Sequence, residues 1–199
     1  MTTLPDFDAP PQPGKTLPPS ALAHVVLRTS NLARMQSFYT TFLGGHVVFA
    51  GGPLSFIAYD DEHHRIALLE IPDTAAKIHK SCGLEHIAFA FPSLADLLLA
   101  YRQRKHHGIE PVWSVNHGPT TSIYYRDPDG NMLETQTDNF ASADEATAFM
   151  MSPPFAENPI GTDFDPETLI AALRAGKTED ELKKRTEIGP RGVPDIDAM

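Results

Sequence analysis

Two stretches of this 199-residue chain are versions of each other. AHVVLRTSNLARMQSFYTTFLGG, beginning at Ala23, lies over EHIAFAFPSLADLLLAYRQRKHHG, beginning at Glu85. In each, a His opens a short apolar strand and a leucine follows eight positions later, Leu32 and Leu94; His24 and His86 are 62 residues apart. Ser-rich helix starts with capping residues then lead into apolar residues at helical spacing. Three further strand patterns follow each helix: HVVFAG, LSFIAYDD and RIALLEI in the first copy, and EPVWSV, TSIYYRD and NMLETQT in the second. Each copy is therefore a βαβββ unit. The sequence predicts an α+β fold in which paired βαβββ modules form a curved, half-open barrel, two sheets facing each other across a cavity.

Strand alternation assigns the histidines to a face. In LEHIAFAF, Ile87, Phe89 and Phe91 share one side and leave His86 with Ala88 and Ala90 on the other. In LAHVVLRT, Ala23, Val25 and Leu27 stand opposite His24, Val26 and Arg28. The bulky side packs under the helices, and the His side lines a space that small side chains keep open. A single His so placed is more often a satisfied core residue. The same placement in both repeats points instead to a shared cleft.

The stretch VNHGPTTSIYYRDPDGNMLETQ, residues 115–136, adds a carboxylate to an otherwise apolar strand. Glu134 is in step with Met132 and Gln136, where an unpaired buried charge would lose its hydration. It either faces water or is paired with a cation. Two neutral imidazoles, His24 and His86, converging on a cleft with this carboxylate would hold a divalent first-row metal and leave open positions on one side of it. Composition leaves His and carboxylate as the metal-binding groups, because Cys82 is the single cysteine. That also excludes an internal disulfide framework and fits a reducing compartment. A formal charge of -10 with no visible basic face argues against a nucleic-acid partner and for a small molecule.

His24, His86 and Glu134 in a paired βαβββ frame resemble the vicinal-oxygen-chelate superfamily, and residues 115–134 are similar to the signature of its type I extradiol ring-cleavage dioxygenases. In that signature a His is followed by an aliphatic residue and Tyr, then an acidic residue, Pro, a turn Gly and the ligand Glu. These fall on His117, Ile123, Tyr124, Asp127, Pro128, Gly130 and Glu134. HHRIAL, upstream, resembles the strand that bears the family's acid-base histidine, which falls on His64. The resemblance covers residues 20–138. It implies a non-haem Fe(II) enzyme, with Mn(II) suited by the same ligands, that cleaves a catechol with O2 to a ring-opened semialdehyde or keto acid. Under it His24, His86 and Glu134 are the metal ligands, His64 takes a substrate proton and returns it, and His117 and Tyr124 hydrogen-bond the reacting oxygens.

The chain departs from well-known members in carrying only one pair of modules, and residues 139–199 match nothing in them. PDTAAKIHKSC lengthens the gap from His64 to His86 to 22 residues, which leaves the adjacent His63 as an alternative acid-base residue. Two other readings share the fold. The glyoxalase I type uses a fourth ligand, a Glu on the last strand of the first copy, where this chain has Ala67 or Leu68, and Glu70 only after a register shift. A metal-free drug-binding protein would leave His24, His64, His86, His117, Tyr124 and Glu134 without a role.

Residues 1–19 hold six of the 18 prolines and read as an extended N-terminal arm. Residues 20–138 form the paired-module domain, module 1 at about 20–75 and module 2 at about 82–138, and residues 139–199 form an acidic C-terminal extension with short helices. In the extension SPPFAENPIG reads as an extended crossing. DPETLIAALRAG reads as a helix capped by Asp165, stopped at Gly176, and offering Leu169, Ile170 and Leu173, with nearby Phe164, for docking. TEDELKKR opens with a capping box from Thr178 to Glu181. The terminal segments are expected to cover the domain or join subunits into a homo-oligomer. No run approaches the roughly 18 apolar residues of a membrane span, and the start has no signal core, so the expected location is the cytoplasm. His106 and His107 suit a helix C-terminus before Gly108. His46, His63 and His79 read as surface or turn residues, and Trp113 and Tyr125 as packing, with Trp113 also a candidate for the pocket wall.

Overall fold

Asn31 and Ser93 open the two long helices, each side chain accepting a hydrogen bond from the backbone N–H three residues on, at Arg34 and Asp96. The computed structural model describes all residues except 1–3, 5, 9, 11–15, 79 and 196–199, so His79 lies outside the described residues. The first module runs β1 (Val25–Thr29), α1 (Leu32–Leu43), β2 (His46–Gly51), β3 (Leu54–Ala58) and β4 (Ile66–Glu70). The second runs β5 (His86–Ala90), α2 (Leu94–His106), β6 (Trp113–Asn116), β7 (Thr120–Arg126) and β8 (Met132–Asp138). Both are βαβββ, with strand orders β1-β4-β3-β2 and β5-β8-β7-β6. In each, the first and last strands pair in parallel and the others antiparallel. The sheets are mixed and open. His86 is the first residue of β5, whereas His24 stands one residue before β1.

The alternation read from the sequence sorts the sheet residues. Leu27, Ile57, Ile66 and Leu68 from the first sheet join Ile87, Phe89, Ile123 and Leu133 from the second in one buried cluster with Met35, Tyr39 and Phe42 of α1 and Leu94, Leu97 and Leu98 of α2. The opposite faces are accessible in part: Val26 and Phe49 are about half exposed and Ala88 and Ala90 are exposed, while Val115, Tyr124 and Met132 form a smaller buried cluster.

The turn between β7 and β8 is organised by Asp127, whose side chain is buried. Its Oδ1 accepts from the N–H groups of Asp129 and Asn131, and its Oδ2 accepts from the Asn131 side chain and, at 2.9 Å, from the Tyr39 hydroxyl of α1. The acidic residue of the signature thus ties the second module's turn to the first module's helix. Asp127→Ala should cost about 3 kcal/mol or more, since hydrogen bonds to a charged group contribute about 1.5–3 kcal/mol each and the buried Tyr39 hydroxyl loses its acceptor. Urea unfolding checks this; a midpoint equal to wild type would contradict it. Tyr39→Phe, which removes one bond, should cost about 1 kcal/mol.

Beyond β8 come α3 (Ala143–Met150), α4 (Pro153–Glu157), β9 (Thr162–Asp163), α5 (Pro166–Arg174) and α6 (Glu179–Lys183). Part of the stretch expected to be an extended crossing is therefore helical. Pro153 and Pro154 occupy the first turn of α4, where a missing N–H leaves nothing unsatisfied. Strand β9 extends the second sheet by pairing with β6. Asp165 caps α5, and Thr178 and Glu181 form the reciprocal capping box of α6. Phe164, Leu169, Ile170 and Leu173 pack against the main core. Glu179 accepts from the N–H groups of Leu94 and Ala95, and so serves the first turn of α2. The described residues of the N-terminal arm form no helix or strand, and Leu4, Phe7 and Leu17 are exposed. None of the described helices is long and apolar enough to cross a membrane.

Candidate functional site

Register brings the signature residues into one row. Across the second sheet Ala88 pairs with Glu134, Glu134 with Tyr124 and Tyr124 with Trp113, so these four share the face that His86 also takes. Glu134 is buried, and its Oε2 lies 3.0 Å from His86 Nε2. Burial works against the charge of Glu134, but hydrogen bonds from His86 and Ser122 outweigh it and hold the carboxyl below the usual range. The same bond to Glu134 raises the pKa of His86 against the opposing effect of its own burial.

His117 follows β6 and turns its ring into this row. Its Nε2 is 3.0 Å from the Tyr124 hydroxyl, and its Nδ1 meets the main-chain oxygen of Ile160. Desolvation lowers the pKa of His117, so it is a neutral imidazole near pH 7. Tyr124 is pushed far up, first by burial and then by the Glu134 charge beside it, and stays protonated. Trp113 stacks on Tyr124 with ring centroids 5.0 Å apart, and its indole N–H donates to Asp163.

The first sheet contributes a second group. The His64 ring stacks on Phe56 at 4.6 Å and lies 4.5 Å from the exposed ring of His24. Phe56 pairs with Ala67, and Ala67 with Val26, on the face opposite the buried Leu27 and Leu68. Desolvation, then the neighbouring His63 and His24 rings, lowers the pKa of His64. His63 is largely exposed; its Nε2 meets Glu62 and its Nδ1 meets the Nδ1 of His64. The structure thus gathers His86, Glu134, Tyr124 and His117 on one sheet and His24 with His64 on the other.

The donor chemistry decides whether a metal suits this arrangement. Two donors bound to one octahedral cation at right angles, with bonds of about 2.1 Å, stand about 3.0 Å apart. His86 Nε2 and Glu134 Oε2 have that spacing, and a buried carboxylate has its charge best offset by a cation. Among the described residues no three His, Cys, Asp or Glu side chains form a ready metal-binding group. The expected third donor, His24, is with His64 instead, yet it lines a cavity with Ala88, the register partner of Glu134.

Register also resolves the position of a fourth ligand. Ala88 pairs with Glu134 just as Val26 pairs with Ala67, so Ala67 rather than Leu68 is the equivalent position, and it carries no donor. Glu70 is committed elsewhere: its Oε1 accepts from the Leu32 N–H at the start of α1. Sequence reasoning passed over Ser122, although its spacing of two from Tyr124 puts it on the same face, and it undervalued Trp113, for which the same parity argument was available. The role of Ile160 had no signal, because a main-chain oxygen has no residue identity.

Residues 21–135 match the model of the Glyoxalase/Bleomycin resistance protein/Dioxygenase superfamily. The chain is 47% identical over 161 residues to biphenyl-2,3-diol 1,2-dioxygenase 2 of Rhodococcus globerulus, covering 80% of this chain and 85% of that protein. It is 45% identical over 166 residues to biphenyl-2,3-diol 1,2-dioxygenase 3 of the same organism, covering 82% and 87%. Among solved structures, a glyoxylase/bleomycin resistance protein/dioxygenase domain from Frankia sp. EAN1pec superposes with a TM-score of 0.54 at 22% identity, over 63% of this chain and 96% of that one.

Proposed function

We propose, because the chain belongs to the Glyoxalase/Bleomycin resistance protein/Dioxygenase superfamily, that it is an extradiol dioxygenase opening a catecholic ring with O2. The observation that carries this reading is the buried Glu134–His86 pair beside His117 and Tyr124, in a chain whose curated relatives are biphenyl-2,3-diol 1,2-dioxygenases. His86 and Glu134, completed by His24 just before β1, would hold Fe(II), and the same donors suit Mn(II). Such an ion would lower the pKa of the catechol hydroxyls and give ring electrons a path to O2.

The chain's own residues do the rest. Val26, Phe49 and Phe56 offer an apolar wall for the aromatic ring. His64, beside His24 and neutral, takes a proton from a substrate hydroxyl and returns it to an oxygen atom as the O–O bond breaks. The Tyr124 hydroxyl rests against the His117 ring, and by turning from it toward the reacting oxygens it would stabilise negative charge as it builds there, with His117 holding the hydroxyl in place. The ring carbon–carbon bond next to the diol breaks, both atoms of O2 enter the product, and no external reductant is consumed.

The test is anaerobic loading with Fe(II), then oxygen uptake with biphenyl-2,3-diol and with catechol. Uptake equimolar with diol and a yellow ring-opened product are expected; iron-loaded protein that consumes no oxygen with any diol would overturn the reading. With methylglyoxal and glutathione the protein should be inactive whichever divalent metal is supplied, because Ala67 cannot ligate. Lactoylglutathione formation at enzyme-like rates would favour an isomerase instead.

A further inference from the structure

The C-terminal extension makes contacts with the site that its sequence did not suggest. His117 is flanked by two oxygens of different character: the main-chain oxygen of Ile160 at Nδ1 and the Tyr124 hydroxyl at Nε2. A carbonyl oxygen only accepts, so Nδ1 must carry hydrogen. In a neutral imidazole Nε2 is then an acceptor, and the proton between the rings belongs to Tyr124. That matters because the Tyr124 hydroxyl is also within hydrogen-bonding reach of Glu134. One proton serves one acceptor well, and donation to His117 leaves the Glu134 oxygens to His86 and Ser122.

Ile160 is held with unusual care for a residue in a connecting segment. Asn158, completely buried, accepts from the N–H groups of Ile160 and Gly161 and donates to the Gly161 oxygen at 3.1 Å. Gly161 has φ +108, and a Cβ there would lie 2.2 Å from the Asn116 oxygen, so only glycine lets this segment come so close to His117. Arg185, with a side chain 2% exposed, donates to the main-chain oxygens of His117 at 3.0 Å, Asn158 at 2.8 Å and Pro154 at 3.1 Å. Glu187 orients its guanidinium from the other side. One cation thus pins the backbone of His117 and the backbone that faces its ring.

We propose that residues 154–187 of the extension are a positioning element of the catalytic site: the Ile160 main-chain oxygen, clamped by Asn158 and Arg185, holds His117 as the Nδ1–H tautomer, so that Tyr124 donates to His117 and not to Glu134. The catalytic consequence rests on the extradiol reading; the tautomer does not. Arg185 acts only through His117 and Ile160.

The measurement is a long-range proton–nitrogen NMR correlation on 15N-labelled, metal-free protein near neutral pH, without substrate. His117 should show a protonated Nδ1 and a bare Nε2; a protonated Nε2 with a bare Nδ1 overturns the proposal whatever reaction the protein catalyses. In Arg185→Met the His117 signals should move toward a mixture of tautomers. Ring-cleavage kcat should then fall about 10-fold, in the range typical for an outer partner of an active-site histidine, with KM and iron content near wild type. Arg185→Lys, which keeps a donor, should recover part of the loss. An Arg185→Met protein with wild-type His117 signals and wild-type kcat would overturn the role of the extension. Should that variant fail to fold, the wild-type tautomer remains decisive.

Discussion

Glu134→Ala and His86→Ala should each strip iron from the protein and lower ring cleavage by about 10³-fold or more, since several kcal/mol of metal-borne stabilisation are lost with the ion. Both side chains point away from the main core, so the variants should remain folded, with unchanged far-ultraviolet dichroism. Iron content by elemental analysis reads the effect directly. His24→Ala carries more information than either, because His24 is packed with His64 rather than with the other two donors. The proposed ligand set requires the same loss of iron from it. Stoichiometric iron in His24→Ala would remove His24 from that set and leave His86 and Glu134 in place.

The second large effect separates proton transfer from metal binding. His64→Phe should retain iron and bind diol, while turnover falls about 10²- to 10⁴-fold, the usual contribution of a general acid-base group. The substituted ring can keep the stack on Phe56, so packing is conserved and the loss reports on the missing imidazole. His63→Phe should do far less, because the His63 side chain is 69% exposed and it touches the proposed site through its Nδ1 contact with His64, its Nε2 being turned to Glu62. The opposite pattern, a large loss in His63→Phe and little in His64→Phe, would assign the acid-base role to His63.

Much of this was legible because it depends on local chemistry or on parity. Asn31, Ser93 and Thr178 announce their helices through the N–H groups they cap. Strand alternation places Glu134 with Met132 and Gln136, and register then makes Glu134 the partner of both Tyr124 and Ala88. Elements that depend on distant partners were harder. Pro153 and Pro154 suit an extended crossing as well as a first helical turn, and only the fold selects the helix. Strand β9 is two residues long, too short for a periodic signal, and exists because β6 offers it an edge. The contact from Ile160 to His117 spans 43 residues and uses a main-chain atom. The separation of His24 from Glu134 is a matter of side-chain packing, since His24 has the parity that the pattern requires.

The extradiol claim is tested most directly by following isotope from 18O2 into the product of a single turnover. Iron-loaded protein is mixed with biphenyl-2,3-diol and 18O2 in ordinary water, quenched before carbonyl oxygens exchange, and the ring-opened product is weighed by mass spectrometry. The predicted result is a product that carries both labelled atoms, with the ring cut beside the diol and not between its hydroxyls. A product holding one labelled atom or none, or one cut between the two hydroxyl-bearing carbons, would contradict it.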